Sequence, residues 1–247
     1  MTAPLRNRQA GSGLVLLMLA LVLFSGFVAL GTWQVVRLQW KLDLIARVEA
    51  RVRAAPVALP AQSEWPAVSA ATHEYRHVRV DGVFDYTASA AVQAVTELGR
   101  GFWVLTPLRR TDGTVVLINR GFIAEEERAQ ANRPGPAGPV TLTGLLRLSE
   151  RGGGFLHQND PAHDRWYSRD VAAIATTRHL NPVAPFFIDA DAAARLDTPV
   201  TDPAVPVGGL TVIAFHNNHL VYALTWYALA AMVAGVFVWR RRLSESA

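Results

Sequence analysis

The chain has 247 residues, 51% of them hydrophobic, and a net charge of +4. That is too polar for a many-span transporter and apolar for a soluble protein, so it fits one soluble domain plus a few membrane helices. Cysteine is absent, which excludes disulfides, thiolate catalysis and cysteine-ligated metals. The positive charge is scattered arginine, with Lys41 the only lysine. No nucleic-acid-binding signature accompanies it, so anionic lipid headgroups or an acidic cofactor are the expected partners.

Leu14 to Leu30 carries no charge, and the apolar character continues to Val36. About 20 such residues are needed to cross a bilayer. Arg6 and Arg8 precede the run, as they would in a secretory signal, but a signal core is shorter and ends at a small-residue cleavage site. Ala29-Leu30-Gly31 is a poor one, so an uncleaved anchor is expected. Trp33, Val36, Trp40, Leu44, Val48 and Val52 then recur at helical steps. They predict an amphipathic extension that packs on the soluble domain and ends before Pro56 and Pro60.

From Tyr75 to Phe215 the pattern is mostly short strands. They are HVRVDGVF (77–84), SAAVQAVT (89–96), FWVLTPLRR (102–110), TVVLINRGFI (114–123), VTLTGLLRL (140–148) and LTVIAF (210–215). Thr111-Asp112-Gly113 reads as a hairpin turn. One helix is expected from Asp170 to Arg178, capped by Ser168 or Asp170. Many strands at short spacing suggest a small barrel-like antiparallel sheet. The fold class is therefore membrane α plus β: a two-helix transmembrane hairpin with a mainly antiparallel-β, barrel-like domain between the spans. Leu220 to Trp239 is the second span, and Arg240, Arg241 and Arg242 mark its end as cytoplasmic.

His73-Glu74-Tyr75-Arg76-His77 fits the H-E-x-x-H zinc-hydrolase pattern. That chemistry needs a helix, where i and i+4 lie about 6 Å apart along the axis. On a strand the same step is about 13 Å. The motif runs into the alternating HVRVDGVF, so a strand entrance with exposed polar groups is the expectation. Arg151-Gly152-Gly153-Gly154 reads as a flexible loop, because no strand leads in and no Gly-Lys-Ser/Thr follows. No G-x-S-x-G elbow supports a Ser-His-Asp triad.

FHNNHLVYALTWYALA (215–230) places His216 and His219 at the mouth of the second span. Asn218 is a natural N-cap, which puts His219 in the first turn, where the helix dipole disfavours imidazolium. Neutral imidazole is the ligating form. Tyr222, Ala223, Trp226, Ala230 and Val233 follow on the same face, aromatic and then small, a surface for a flat hydrophobic ring. Two readings stand: an interfacial belt of His, Asn, Tyr and Trp, or a ligand site. On the first span, Gln34 is unusual at apolar depth and points to a partner helix. Arg37 either pairs a carboxylate or snorkels.

Several blocks resemble the surfeit locus protein family of cytochrome c oxidase assembly factors. They are GTWQVVRLQWK (31–41), VRVDGVF (78–84), VLTPL (104–108), GTVVLINRGF (113–122), QNDPAHDRWYSRD (158–170), APFFIDAD (184–191), PVGGLTVIAF (206–215) and NNHLVYALTWYALA (217–230). The first and last are the specific ones. Phe122 stands where the family usually has Trp, and His216 where other residues are common, so His216 is not assigned as a ligand.

The resemblance implies a non-enzymatic factor that binds haem a and delivers or inserts it into oxidase subunit I. His219 would be the ligand to the haem iron. The matching block of the first span adds Trp33 and Gln34 to the expected cofactor site. Taken with the helix-face reading above, Arg37 and Lys41 are expected to neutralise the propionates, and Trp33, Tyr222 and Trp226 to pack on the ring. Expected partners are oxidase subunit I, a haem a synthase and membrane lipids, with no nucleic acid. The expected layout is a cytoplasmic tail (1–12), a transmembrane helix (13–36), its helical extension (37–55), a periplasmic β-rich domain (56–216), a second transmembrane helix (217–239) and a cytoplasmic tail (240–247). No Arg- and Ser-rich transit segment precedes the first span, so a bacterial inner membrane is favoured. A scaffold for subunit I without haem, and a membrane-tethered metallopeptidase using His73, Glu74 and His77, are the alternatives.

Overall fold

The computed structural model describes residues 6–135, 137–153, 157–192, 206–210 and 217–245. The expected strand 210–215 lies almost wholly outside them, as does His216. The chain divides into two compact units, Met1–Arg47 with Ala214–Ala247, and Val48–Ile213.

The first unit is a pair of helices. Helix α1 is continuous over Arg6–Arg53, roughly 72 Å at 1.5 Å per residue, far more than the ~30 Å hydrocarbon core needs. Its interior holds no proline, and it stops before Pro56. Two segments are long and apolar enough to cross a membrane: Leu14–Arg53, and His219–Leu243 within the last helix of the chain. Their large apolar side chains face outward, Leu14, Val22, Val36, Leu220, Val221 and Met232 among them. That is the arrangement of helices in lipid, and the protein is membrane-associated.

The second unit is built on a seven-stranded sheet: β1 (Val57–Ala58), β2 (His77–Phe84), β3 (Ala90–Thr96), β4 (Gly99–Arg109), β5 (Val115–Ala124), β6 (Pro139–Leu148) and β7 (Val183–Ala190). The order is β1-β2-β6-β7-β5-β4-β3, and β2 also pairs with β4. The closing pairs are Val83 with Arg109 and Phe84 with Leu108. Strands β2, β6, β7, β5 and β4 thus form a closed ring, which removes their free edges. The barrel is antiparallel except at β5–β7, which run parallel, as do β1 and β2.

The β4–β5 hairpin turns where Thr111-Asp112-Gly113 predicted. Gly113 takes a positive φ of 83°, and Asp112 Oδ1 accepts from the Thr114 backbone N at 2.9 Å. Helix α2 (Val171–Thr177) is capped by Asp170, which accepts from Ala173 N at 3.2 Å. Strand β7 is a central strand that the alternation rule did not find.

The burial pattern explains why. Val116, Ile118, Phe186 and Ile188 point into the barrel with Val78, Val80 and Leu146. Val115, Leu117 and Phe187 point the other way, under Trp166, Val171 and Ile174. Both faces of β5 and β7 are therefore covered, and alternation disappears from the sequence. Pro185 is a residue that central strands normally exclude. It sits one residue beyond the last β6 pair, Leu148 with Phe186, and inside the β5–β7 register shift, where no ladder bond is required of it.

Candidate functional site

The H-E-x-x-H segment is not helical. Residues 70–75 form turns and His77 opens β2. Glu74 is not an exposed group, as the sequence suggested. Its carboxylate accepts from Arg147 Nε at 2.8 Å and Leu148 N at 2.9 Å. His77 is held by the Ala54 carbonyl at 2.9 Å and Asp191 Oδ2 at 2.7 Å, while His73 turns to Thr72 Oγ1 at 2.7 Å. Among the described residues no group of three His, Asp or Glu side chains could hold a metal ion. The helix that the metallopeptidase pattern requires is not formed here, and Glu74, its would-be base, is bonded to Arg147.

Glu74 belongs to an ion network on the outer face of β7. Asp189, 3% exposed, accepts from Asn119 Nδ2 at 2.8 Å, Arg147 Nη1 at 2.9 Å and Arg169 Nη1 at 3.4 Å. Arg169 also binds Glu150 and lies over the Phe187 ring at 4.8 Å. Burial opposes the charge on Arg147, but Asp189 and Glu74 outweigh it and raise its pKa. Opposite charges saturate one another here, so the cluster is structural.

The helix pair holds the other polar cluster. Helix α3 spans His219–Glu245 and opens with His219. Its entry is fixed by Asn218, whose carbonyl accepts from Tyr222 N at 3.1 Å. The side chain at the cap is the neighbour's: Asn217 Oδ1 accepts from His219 N at 3.4 Å. From there the helices run antiparallel. Gln34 Oε1 lies 2.7 Å from His219 Nδ1, and Thr32 Oγ1 lies 3.1 Å from the Tyr227 hydroxyl. Phe27 stacks on Trp226 with ring centroids 5.8 Å apart. Ala223 and Ala230 are buried, small residues that let the backbones approach. Gly31 serves the same end, since a Cβ there would come within 2.8 Å of the Tyr227 ring.

On α1 the protected line is Gly31, Gln34, Leu38, Lys41, Ile45 and Val48, whereas Trp33, Val36 and Trp40 are exposed. The amphipathic stripe expected from the sequence was therefore only partly the buried one. Leu44, Val48 and Val52 of that stripe are protected, and Gln34 meets a partner helix, as its place at apolar depth suggested. The tail of α1 does reach the β-rich unit to which it belongs: Arg51 Nη1 donates to the Glu74 carbonyl at 3.2 Å.

The expected site residues fall into two sets. Gln34 and His219 are joined directly, and Trp226 faces α1. Trp33, Arg37 and Tyr222 are exposed, with the Arg37 guanidinium 4.1 Å over the Trp40 ring. Thr32, Tyr227, Gly31 and Phe27 were missed by sequence reasoning. Hydroxyls facing each other from two apolar runs were the available signal. A cleft of ≈1280 Å³ also opens between the helices, lined by Leu16, Leu17, Ala20, Leu23, Val233 and Phe237 among others. It lies toward the far end of the pair from His219, and its lining is apolar apart from Arg240 and Arg241.

The family model described as the SURF1 family matches residues 21–231. The chain belongs to the SURF1 family. It is 36% identical over 231 residues to Surfeit locus protein 1 of Rattus norvegicus, covering 86% of this chain and 71% of that protein. The human protein of the same name is 35% identical over 247 residues, covering 92% and 76%. A SURF1-like protein of Monosiga brevicollis is 36% identical over 255 residues, covering 97% and 91%. The resemblance read from the sequence is thus confirmed. The SURF1 match takes in both ends of the helix-pair cluster, Gln34 on α1 and His219 on α3.

Proposed function

We propose that this SURF1-family chain is a non-enzymatic assembly factor for haem–copper cytochrome c oxidase, which holds haem a through His219 and passes it to subunit I. The observation that carries this is the His219–Gln34 pair. One ring nitrogen is engaged at 2.7 Å, and among the described residues the other takes no hydrogen bond, which leaves it to a ligand at the membrane border. Leu14 to Gln34 spans about 30 Å of helix, which sets Gln34 at the edge of the apolar layer.

The residues present fit the group. When bound, the haem would supply the redox-active iron that its acceptor uses. His219 offers an imidazole at the first residue of α3. Arg37 is exposed and can leave the Trp40 face, worth about 0.5–1 kcal/mol at such sites, to bind a propionate with Lys41 as a second cation. Trp33 and Tyr222 are exposed aromatics, and Trp226 stacks on Phe27 of α1.

The oxidase subunit I, a haem a synthase and the surrounding lipids are the proposed partners. Arg240, Arg241 and Arg242 favour a cytoplasmic C-terminus. With two spans the N-terminus shares that side, and the β-rich unit lies in the periplasm of a bacterial inner membrane.

The test is an absorption spectrum of detergent-purified protein co-expressed with haem a biosynthesis, as wild type and as His219→Ala. A haem a signal lost in the variant supports the carrier. No haem in either leaves a subunit I scaffold, and haem retained unchanged in His219→Ala removes the ligand assignment.

A further inference from the structure

Gln34 is a primary amide, partly buried between two largely apolar helices. An amide there is costly unless it is bonded. Its oxygen, Oε1, is the atom facing His219 Nδ1, at 2.7 Å. A carboxamide oxygen only accepts, so the proton of the bond belongs to Nδ1. A neutral imidazole has one N–H. If Nδ1 carries it, Nε2 keeps its lone pair. His219 is the first residue of α3, so its ring stands at the mouth of an uncharged run.

The ring is also fixed in direction. Asn217 Oδ1 and the Asn218 carbonyl hold the helix start. The Thr32–Tyr227 bond and the close approach of Gly31 to Tyr227 hold α1 against α3 two turns deeper.

We infer that Gln34 is a positioning residue, which locks His219 in its Nδ1–H tautomer and presents Nε2 as the metal-binding nitrogen. The inference rests on the haem reading above, but concerns a proton that is there before any haem binds. Gln34 itself touches no iron. Its carbonyl polarises the Nδ1–H bond and makes Nε2 a better donor, as outer partners of ligating histidines generally do. In a glutamate variant the carboxylate accepts the same bond more strongly. That pushes more electron density to Nε2 and lowers the midpoint potential of the bound iron.

The experiment uses the full chain in detergent micelles, with ¹⁵N-labelled histidine. The His219 ring signals are identified by their loss in His219→Ala. In the wild type without haem, Nδ1 should show the shift of a protonated nitrogen and Nε2 that of an unprotonated one. In Gln34→Leu the ring should pass to the other tautomer or to a mixture. Haem titration should then show affinity weakened by about 10–100-fold in Gln34→Leu. Gln34→Glu should bind with wild-type strength at a lower midpoint potential.

A wild-type ring protonated on Nε2 overturns the proposal, because the amide would then be donating through its nitrogen. So does a tautomer unchanged in Gln34→Leu. If Gln34→Leu does not fold, Gln34→Glu decides alone: an unaltered potential with haem bound counts against the proposal. A locked Nδ1–H tautomer in a protein that takes up no haem defeats the functional reading while leaving the tautomer assignment standing.

Discussion

The helix pair and the β barrel solve opposite problems with the same amino acids. In the barrel, Val78, Ile118, Leu146 and Phe186 are inside. In the helix pair, Leu14, Val22, Leu220 and Val221 are outside, and the bonds between helices run through Gln34, His219, Thr32 and Tyr227. Burial from water drives the first arrangement. It offers nothing in lipid, where hydrogen bonds and close small-residue packing hold helices together. Removing a polar group should therefore cost far more where water was excluded to bury it than where lipid surrounds it.

The largest expected effect is in the barrel unit. Asp189→Ala leaves the Arg147 and Arg169 guanidiniums around a vacated, buried position. About 3–5 kcal/mol of stability should be lost, as when one partner of a buried ion pair is removed. Denaturant unfolding followed by near-ultraviolet circular dichroism measures it. A loss under 1 kcal/mol would mean that water enters the network and that the contrast with the helix pair is false.

Next comes Gly121, in β5. Its φ is 131°, and a Cβ there would meet the Val207 carbonyl carbon at 2.3 Å. That segment is bonded to β5 through Phe122 N and Val207 O at 3.0 Å. Gly121→Ala should cost about 1–3 kcal/mol from backbone strain, read in the same unfolding experiment, and should free the 206–210 segment to proteolysis.

Smaller effects are expected between the helices. Tyr227→Phe removes the bond to Thr32 and should weaken helix association by only about 0.6 kcal/mol. Gly31→Leu, which forces the Tyr227 ring aside, should do more. Interhelical cysteine crosslinking in the variants ranks the two. A Tyr227→Phe effect as large as that of Asp189→Ala would erase the distinction between the regions.

The smallest effect is a pH dependence at His77. Burial lowers its pKa, but the Ala54 carbonyl and Asp191 outweigh it, and the net direction is upward from 6.5. Both ring nitrogens face acceptors, so the imidazolium satisfies both. With the folded pKa above the unfolded one, this stabilisation is complete below about pH 6.5. It is lost as pH rises through the folded value. Stability measured from pH 5.5 to 8.5 should fall more steeply in the wild type than in His77→Gln. Equal slopes would show that the residue titrates as if free.

How much was legible depended on which side of an element met solvent. β2 alternates buried and exposed residues, and its pattern predicted it residue for residue. The hairpin was marked by Thr111-Asp112-Gly113, whose turn chemistry is local. β7 was not found because its faces are covered by two different cores. Glu74 looked like an exposed group at a strand entrance, because Arg147, its partner, is 73 residues away. For the candidate site, the histidine at the mouth of α3 and the oddly placed Gln34 were each visible. Their joining was not, since nothing in either segment encodes which residue of the other helix stands opposite.

Alone, the sequence determined the two apolar helices, most of the strands, the turn, the α2 cap and the family. Each is written in contiguous residues as length, period or motif. Only the tertiary structure decided that the sheet closes through β2 and β4, that β5 and β7 run parallel, that Glu74 serves an ion network, and that Gln34 meets His219. Those are pairings between distant segments. Their geometry is set by how whole elements pack, and no local pattern carries that information.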